Sequence, residues 1–181
     1  MRIRPASPED APAIAHVHVA SWRSTYRGLL PEALLANLSL ERREEYWRQQ
    51  AESALQDPQR GFVLVAEDDA RADHDPGTVV GFASAGPDRE AEAGFDGELY
   101  AIYLLEENQG RGIGRMLVDR VVDRFRGQGF RSMRVWVLEG NPASAFYERL
   151  GGRRAGTKSI SIGNEDYLEA AYGWSDLSAY G

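Results

Sequence analysis

Residues 109–115 read Gln-Gly-Arg-Gly-Ile-Gly-Arg. Gly110, Gly112 and Gly114 stand at alternate positions between an apolar run and an amphipathic one, so they would carry unhindered backbone N–H groups to a helix start. Unpaired donors and the helix dipole favour an anion there. Arg111 and Arg115 fall in or beside the first turn, where the dipole disfavours positive charge by roughly a few tenths of a kcal/mol each. A bound phosphate would reverse that sign. The same letters also serve a tight turn with solvated arginines, and spacing alone leaves both readings open. Two other phosphate motifs are absent. The only lysine is Lys158, so there is no Gly-x-x-x-x-Gly-Lys, and Arg115 occupies the place where a dinucleotide fingerprint needs a small residue.

The elements that must hold this turn are legible along the chain. Arg2 to Arg4 reads as a short strand. Ser7-Pro8-Glu9-Asp10 then supplies an N-cap serine, a proline at the first helical position and a carboxylate three residues after the cap. Ile14, Val17 and Ser21 with Ala11, Ala15 and Trp22 form a helical stripe that runs to Gly28. A short helix follows Pro31 through Leu38, and residues 40–56 form another whose apolar content is Leu40, Tyr46, Trp47 and Leu55.

From Phe62 the pattern becomes that of strands. Residues 62–66 and 79–83 read as hairpin partners across an acidic turn from Asp68 to Gly77. An acidic, glycine-containing run from Asp88 to Gly97 precedes a central strand over Glu98–Leu105. The helix after the glycine turn has Met116, Leu117, Val121 and Phe125 on its expected buried side. Arg134 to Leu138 is a second buried strand, Asn141-Pro142 opens a helix ended by Gly151-Gly152, and two polar strands cover 153–162 and 166–174. The order predicts one mixed α/β domain over 1–181 with some parallel pairing in the second half.

Composition narrows the function. With 43% hydrophobic residues and no apolar run near membrane-spanning length, the chain reads as a soluble protein without a membrane role. Its N-terminus lacks the pattern of a secretory peptide, which predicts a cytoplasmic location. No cysteine is present, so a thiol nucleophile and a thiolate metal site are excluded, and three scattered histidines make no metal site. The net charge of −7 opposes nucleic-acid binding and suits a cationic partner, although such a balance also serves solubility alone.

Gln109-x-x-Gly112-x-Gly114 after an apolar strand resembles the acyl-CoA pyrophosphate loop of the GNAT superfamily of N-acetyltransferases. Asn141 and Tyr147 after the following strand match that family too, and the element order follows it over nearly the whole chain. The resemblance implies a mostly antiparallel central sheet with flanking helices and one splayed parallel pair, here the strands ending at Leu105 and Leu138. It implies acetyl-CoA as co-substrate. Backbone groups of Ile102, Tyr103 and Leu104 would meet the pantetheine arm, one N–H polarising the thioester carbonyl. Gln109, Gly110, Arg111, Gly112, Ile113, Gly114 and Arg115 would hold the pyrophosphate, and Asn141 a pantetheine amide in addition to capping its helix.

An amine with a pKa near about 10.4 must lose a proton before it attacks, which costs roughly 4 to 5 kcal/mol at neutral pH. By resemblance Glu98 is the candidate general base, directly or through water, with a solvent-facing strand-end carboxylate as the other reading. Tyr147 is the candidate acid for the CoA thiolate, although its spacing from Asn141 is one residue short of the family's usual one. Trp22, Tyr26, Tyr46 and Trp47 read as packing of the helical layer, and His16 and His18 as surface or core residues. The expected reaction is direct acetyl transfer to a primary amine, a small cationic one such as a polyamine being favoured. A protein N-terminus or lysine, an amino-acid or antibiotic amine, and a silent acyl-CoA-binding module are the alternatives. The resemblance also makes a homodimer through the last strands plausible.

Overall fold

A computed structural model describes residues 1–68, 78–90 and 94–181. Most of the acidic turn expected over 68–77, and the middle of the acidic run over 88–97, lie outside the described residues. The elements are β1 (Arg2–Pro5), α1 (Ala11–Thr25), α2 (Glu32–Ala36), α3 (Leu40–Gln56), β2 (Phe62–Asp68), β3 (Thr78–Pro87), β4 (Gly97–Leu104), α4 (Ile113–Gly127), β5 (Met133–Leu138), α5 (Ala143–Arg149), β6 (Arg153–Ile162) and β7 (Glu165–Trp174). Among the described residues no helix is long and apolar enough to cross a membrane.

The seven strands form one sheet in the order β1-β2-β3-β4-β5-β7-β6. Every pairing is antiparallel except β4 with β5. That parallel pair is short. Its register runs Gly97↔Met133, Glu98↔Arg134, Leu99↔Val135 and then stops. On the other edge of β4 the register to β3 shifts at the same level, with Ala85 opposite Leu99 and Ser84 opposite Ala101, which leaves Tyr100 as the extra residue. A bulge bends its strand and increases the local twist. Here it turns β4 away from β5, and the two strands part above Leu99 and Val135.

The two faces of the sheet are covered differently. On one, α4 packs Leu117, Val118, Val121, Val122 and Phe125, all fully buried, against Leu64, Ala83, Leu99, Met133 and Val135. Ile113 joins them, whereas Met116 is 40% exposed and lies off the expected stripe. On the other face α1 and α3 enclose Ile14, Val17, Trp47, Val65 and Phe82. Only Trp47 and Ala51 of α3 are buried, while Leu40, Tyr46 and Leu55 face outward, because the charged side of this helix is broader than its apolar content suggested. A third cluster joins Leu30, Leu35 and Leu138 with Trp22 and Tyr26, tying the end of α1 and α2 to the β5-β7-β6 half of the sheet. Ser7 N–H donates to Asp10 Oδ2 at 2.7 Å, and Asp10 accepts from Arg4 Nη1 at 2.7 Å, which anchors the start of α1 to β1.

Candidate active site

The parting of β4 and β5 opens a cleft of about 580 Å³. Four groups of residues meet in it. Tyr100 to Leu104 of β4 form one wall. Val135 to Val137 of β5, with Asn141, Phe146 and Tyr147, form the opposite one, and Ser21 and Ser24 of α1 with Tyr26 at its end close the far side. The glycine turn forms the mouth through Gln109, Gly110, Gly112, Gly114 and Arg115.

The turn is built for backbone recognition. Gly112 has φ 81°, a left-handed conformation that other residues reach at a cost, and no atom lies within 4 Å of where its Cβ would sit. The space before it is open. Gly114 is constrained differently, since a Cβ there would stand 3.3 Å from the Phe146 ring. Met116 N–H bonds to the Gly112 carbonyl at 3.1 Å, so the N–H groups of residues 113–115 precede the helical ladder, as at any helix start. An anion in the mouth would meet them together with the Arg115 guanidinium. Arg111 does not line the cleft. It is half exposed, with Nη1 3.9 Å from Asp68 Oδ2. Ile113 points into the core and contributes no side chain to the site.

Along β4, the stretch beyond Leu99 has β3 on one edge and no β5 partner on the other. Its backbone is free on the cleft side. Leu104 is the exception among the three expected contacts, because its carbonyl already accepts from Ser21 Oγ at 2.9 Å and Gln109 Nε2 at 3.3 Å. The Leu104 oxygen therefore pins α1 and the glycine turn to the end of β4.

Asn141 is 6% exposed, and its Oδ1 accepts from the Ala143 N–H at 2.9 Å, capping α5. Its side chain also reaches the Tyr26 phenol on the cleft wall, where it favours the ionised form. Tyr147 is packed among Phe146, Tyr172 and Trp174, with its phenol on the cleft. Burial first, and the nearby Tyr26 phenol second, push its pKa above the usual tyrosine value, so it keeps its proton at neutral pH.

Glu98 is placed otherwise than the resemblance implied. It is 1% exposed and does not line the cleft. It lies below the parting point, in register with Arg134, and both of its oxygens are engaged by Arg89. The Arg89 N–H adds a bond of 3.2 Å. An amine in the cleft has no direct line to this carboxylate.

Two features were not legible beforehand. Tyr26, which its pattern assigns to packing of the helical layer, lines the cleft, with its Oη 3.3 Å from that of Tyr103. The ring of Tyr103 stacks on His18 at 5.2 Å between centroids. His18 Nδ1 in turn accepts from Trp47 Nε1 at 2.9 Å, and burial pushes His18 down to about 3, so an uncharged ring supports Tyr103. Trp136 was read only as strand core, but its indole lines the cleft, with Lys158 Nζ 4.1 Å and the Arg134 guanidinium 4.9 Å from the ring centroid. The spacing of Ser21, Ser24 and Thr25 on one side of α1, just before Tyr26, is the signal that could have found this wall.

A family model described as acetyltransferase (GNAT) family matches residues 19–152 of this chain. The chain belongs to that family. The GNAT assignment is supported by YuaI of Bacillus subtilis, an uncharacterized N-acetyltransferase 40% identical over 177 residues, covering 98% of this chain and 94% of that protein. The L-methionine sulfoximine/L-methionine sulfone acetyltransferase of Pseudomonas aeruginosa is 36% identical over 91 residues, 49% of each chain. The PaiA N-acetyltransferase of Thermoplasma acidophilum, solved with coenzyme A, shares the fold with a TM-score of 0.69 at 22% identity, over 93% of this chain and 96% of that one. This GNAT protein is an acetyl-CoA-dependent N-acetyltransferase. Its sheet is the family's mixed, mostly antiparallel one, with β4 and β5 as the parallel pair.

Proposed function

We propose that this enzyme acetylates a small cationic primary amine of the polyamine class by direct transfer. The observation that carries the reading is the continuity of the cleft, which runs from the glycine turn past Tyr147 to the aromatic side chains of Tyr26 and Trp136. The chain's net charge of −7 supports the same acceptor class.

Acetyl-CoA supplies the activated acetyl group as a thioester. The N–H groups of residues 113–115, with Gln109, Gly110 and Arg115 around them, hold its pyrophosphate. Arg111, outside the lining, adds a more distant positive charge. The free edge of β4 at Ile102 and Tyr103 meets the pantetheine arm, and one of its N–H groups polarises the thioester carbonyl. The Asn141 amide nitrogen donates to a pantetheine carbonyl. Attack forms the C–N bond as the C–S bond breaks, and the Tyr147 phenol gives its proton to the departing sulfur. The proton lost from the amine leaves through water in the cleft. Glu98 acts at one remove, by fixing Arg89 at the acceptor end.

The test is CoA release from acetyl-CoA across a panel of amines. Diamines and polyamines are expected to give the highest kcat/KM, and release no faster than in buffer with every amine would overturn the reading. A second reading has its own support in the Pseudomonas relative, whose name assigns it amino-acid-like acceptors. Zwitterionic amino acids outrunning every diamine would replace the first reading with that one.

A further inference from the structure

The wall that closes the far side of the cleft is neutral. The charged side chains on the lining are Glu106 and Arg115, which flank the glycine turn, and Arg149, which ends α5. None comes from α1 or from Tyr26 at its end. An amine that reaches this wall therefore meets hydroxyls and rings instead of a carboxylate.

Other hydroxyls along the cleft are already spent. Ser21 Oγ donates to the Leu104 carbonyl at 2.9 Å, Ser24 Oγ to the Ser21 carbonyl at 3.2 Å and Tyr100 Oη to the Pro87 carbonyl at 2.5 Å. Each gives its proton to the backbone. Tyr26 differs, since the group bonded to its hydroxyl is a second hydroxyl, that of Tyr103, at 3.3 Å. Two hydroxyls that share one bond keep one O–H unspent, whichever of them donates. The pair is also held from behind. The Tyr103 ring stacks on His18, and His18 Nδ1 accepts from Trp47 Nε1, so a line of contacts runs from α3 through α1 and β4 to the Tyr26 phenol on the cleft.

We propose that Tyr26 seats the reacting nitrogen of the acceptor, its phenol oxygen taking an N–H of the amine, and that Tyr103 is a positioning residue that fixes the Tyr26 hydroxyl. This deepens the direct-transfer reading above and rests on it. The chemistry favours a neutral seat. A carboxylate against the reacting nitrogen would hold it protonated and oppose attack, whereas a phenol oxygen takes an N–H and leaves the nitrogen lone pair to face the thioester. The unspent O–H of the pair is left for the water that carries the amine's proton away. Burial raises the pKa of both phenols above the usual tyrosine value, so the seat stays neutral where the amine loses its proton.

The experiment measures kcat and KM for the best amine of the panel at saturating acetyl-CoA in the wild type, Tyr26→Phe, Tyr103→Phe and the double variant, together with the affinity of each for acetyl-CoA. Tyr26→Phe is expected to raise KM for the amine roughly tenfold, the weight of one hydrogen bond, with affinity for acetyl-CoA within about twofold of wild type. Tyr103→Phe should raise that KM about threefold and add nothing on top of Tyr26→Phe. A hydroxyl that only supports packing would cost the same in both backgrounds, and that result refutes the positioning role of Tyr103. An amine KM in Tyr26→Phe within about twofold of wild type overturns the seat, as does a loss of acetyl-CoA affinity in place of the KM change. A wild type that acetylates no amine of the panel is a separate failure, that of the transfer reading, and takes the seat with it. Should Tyr26→Phe not fold, Tyr103→Phe alone decides, and an unchanged amine KM refutes the pair.

Discussion

The two ends of the cleft are built by different means. At the mouth the apparatus is backbone: a left-handed Gly112, the open start of α4 and the unpaired edge of β4. At the far end it is side chains, with Tyr26 from the end of α1 and Trp136 from β5 on the cleft, and Arg134 and Lys158 against the Trp136 ring. Backbone recognition demands glycines at set positions and so leaves a local signature. Side chains gathered from strands far apart in sequence leave none, and they can be exchanged without disturbing the mouth. The difference explains how one fold can keep a co-substrate while changing acceptors.

The contrast can be broken by substitution. The largest expected effect is at the junction of the two ends. Tyr147→Phe removes the proposed proton donor but little of the packing with Phe146 and Trp174, so kcat should fall roughly 10²-fold while stabilisation by acetyl-CoA persists. A kcat within twofold of wild type would return Tyr147 to a packing role. At the mouth, Gly112→Val forces a β-branched residue into left-handed geometry, a cost of roughly 1–2 kcal/mol or more. Affinity for acetyl-CoA should drop about tenfold or further, with the ranking of amines unchanged. If that ranking shifts, the ends are not independent.

The smallest catalytic effect is expected at Glu98. Glu98→Gln weakens its charged pairing with Arg89 and should destabilise the fold by about 1–3 kcal/mol, less than a fully buried pair because Arg89 is 61% exposed. The pH profile of kcat/KM should keep its acidic limb. Loss of that limb would mean that Glu98 takes the amine's proton after all, and the water route would be wrong.

Much of the fold is readable from local rules. The helix over 40–56 and the strand over 153–162 have the ends expected from their patterns, because Ser39 caps the one and glycines bracket the other. Met116 is exposed because the stripe of α4 follows Ile113, Leu117 and Val121, and position 116 falls at its margin. Gly112 was legible because a positive φ at a helix start restricts the residue type by itself. Glu98 was not, since its partner Arg89 and its neighbour Arg134 reach it only through chain reversal and strand register.

What the sequence by itself determined is therefore the order of elements and the co-substrate end, where periodicity, caps and glycine conformations act over a few residues. The tertiary structure alone decided that Tyr26 faces the cleft and that Glu98 is withdrawn from it. Those outcomes depend on where β4 bulges at Tyr100 and on which residues of β5, β6 and β7 fall opposite one another, and pairing across a sheet is a property of the whole fold.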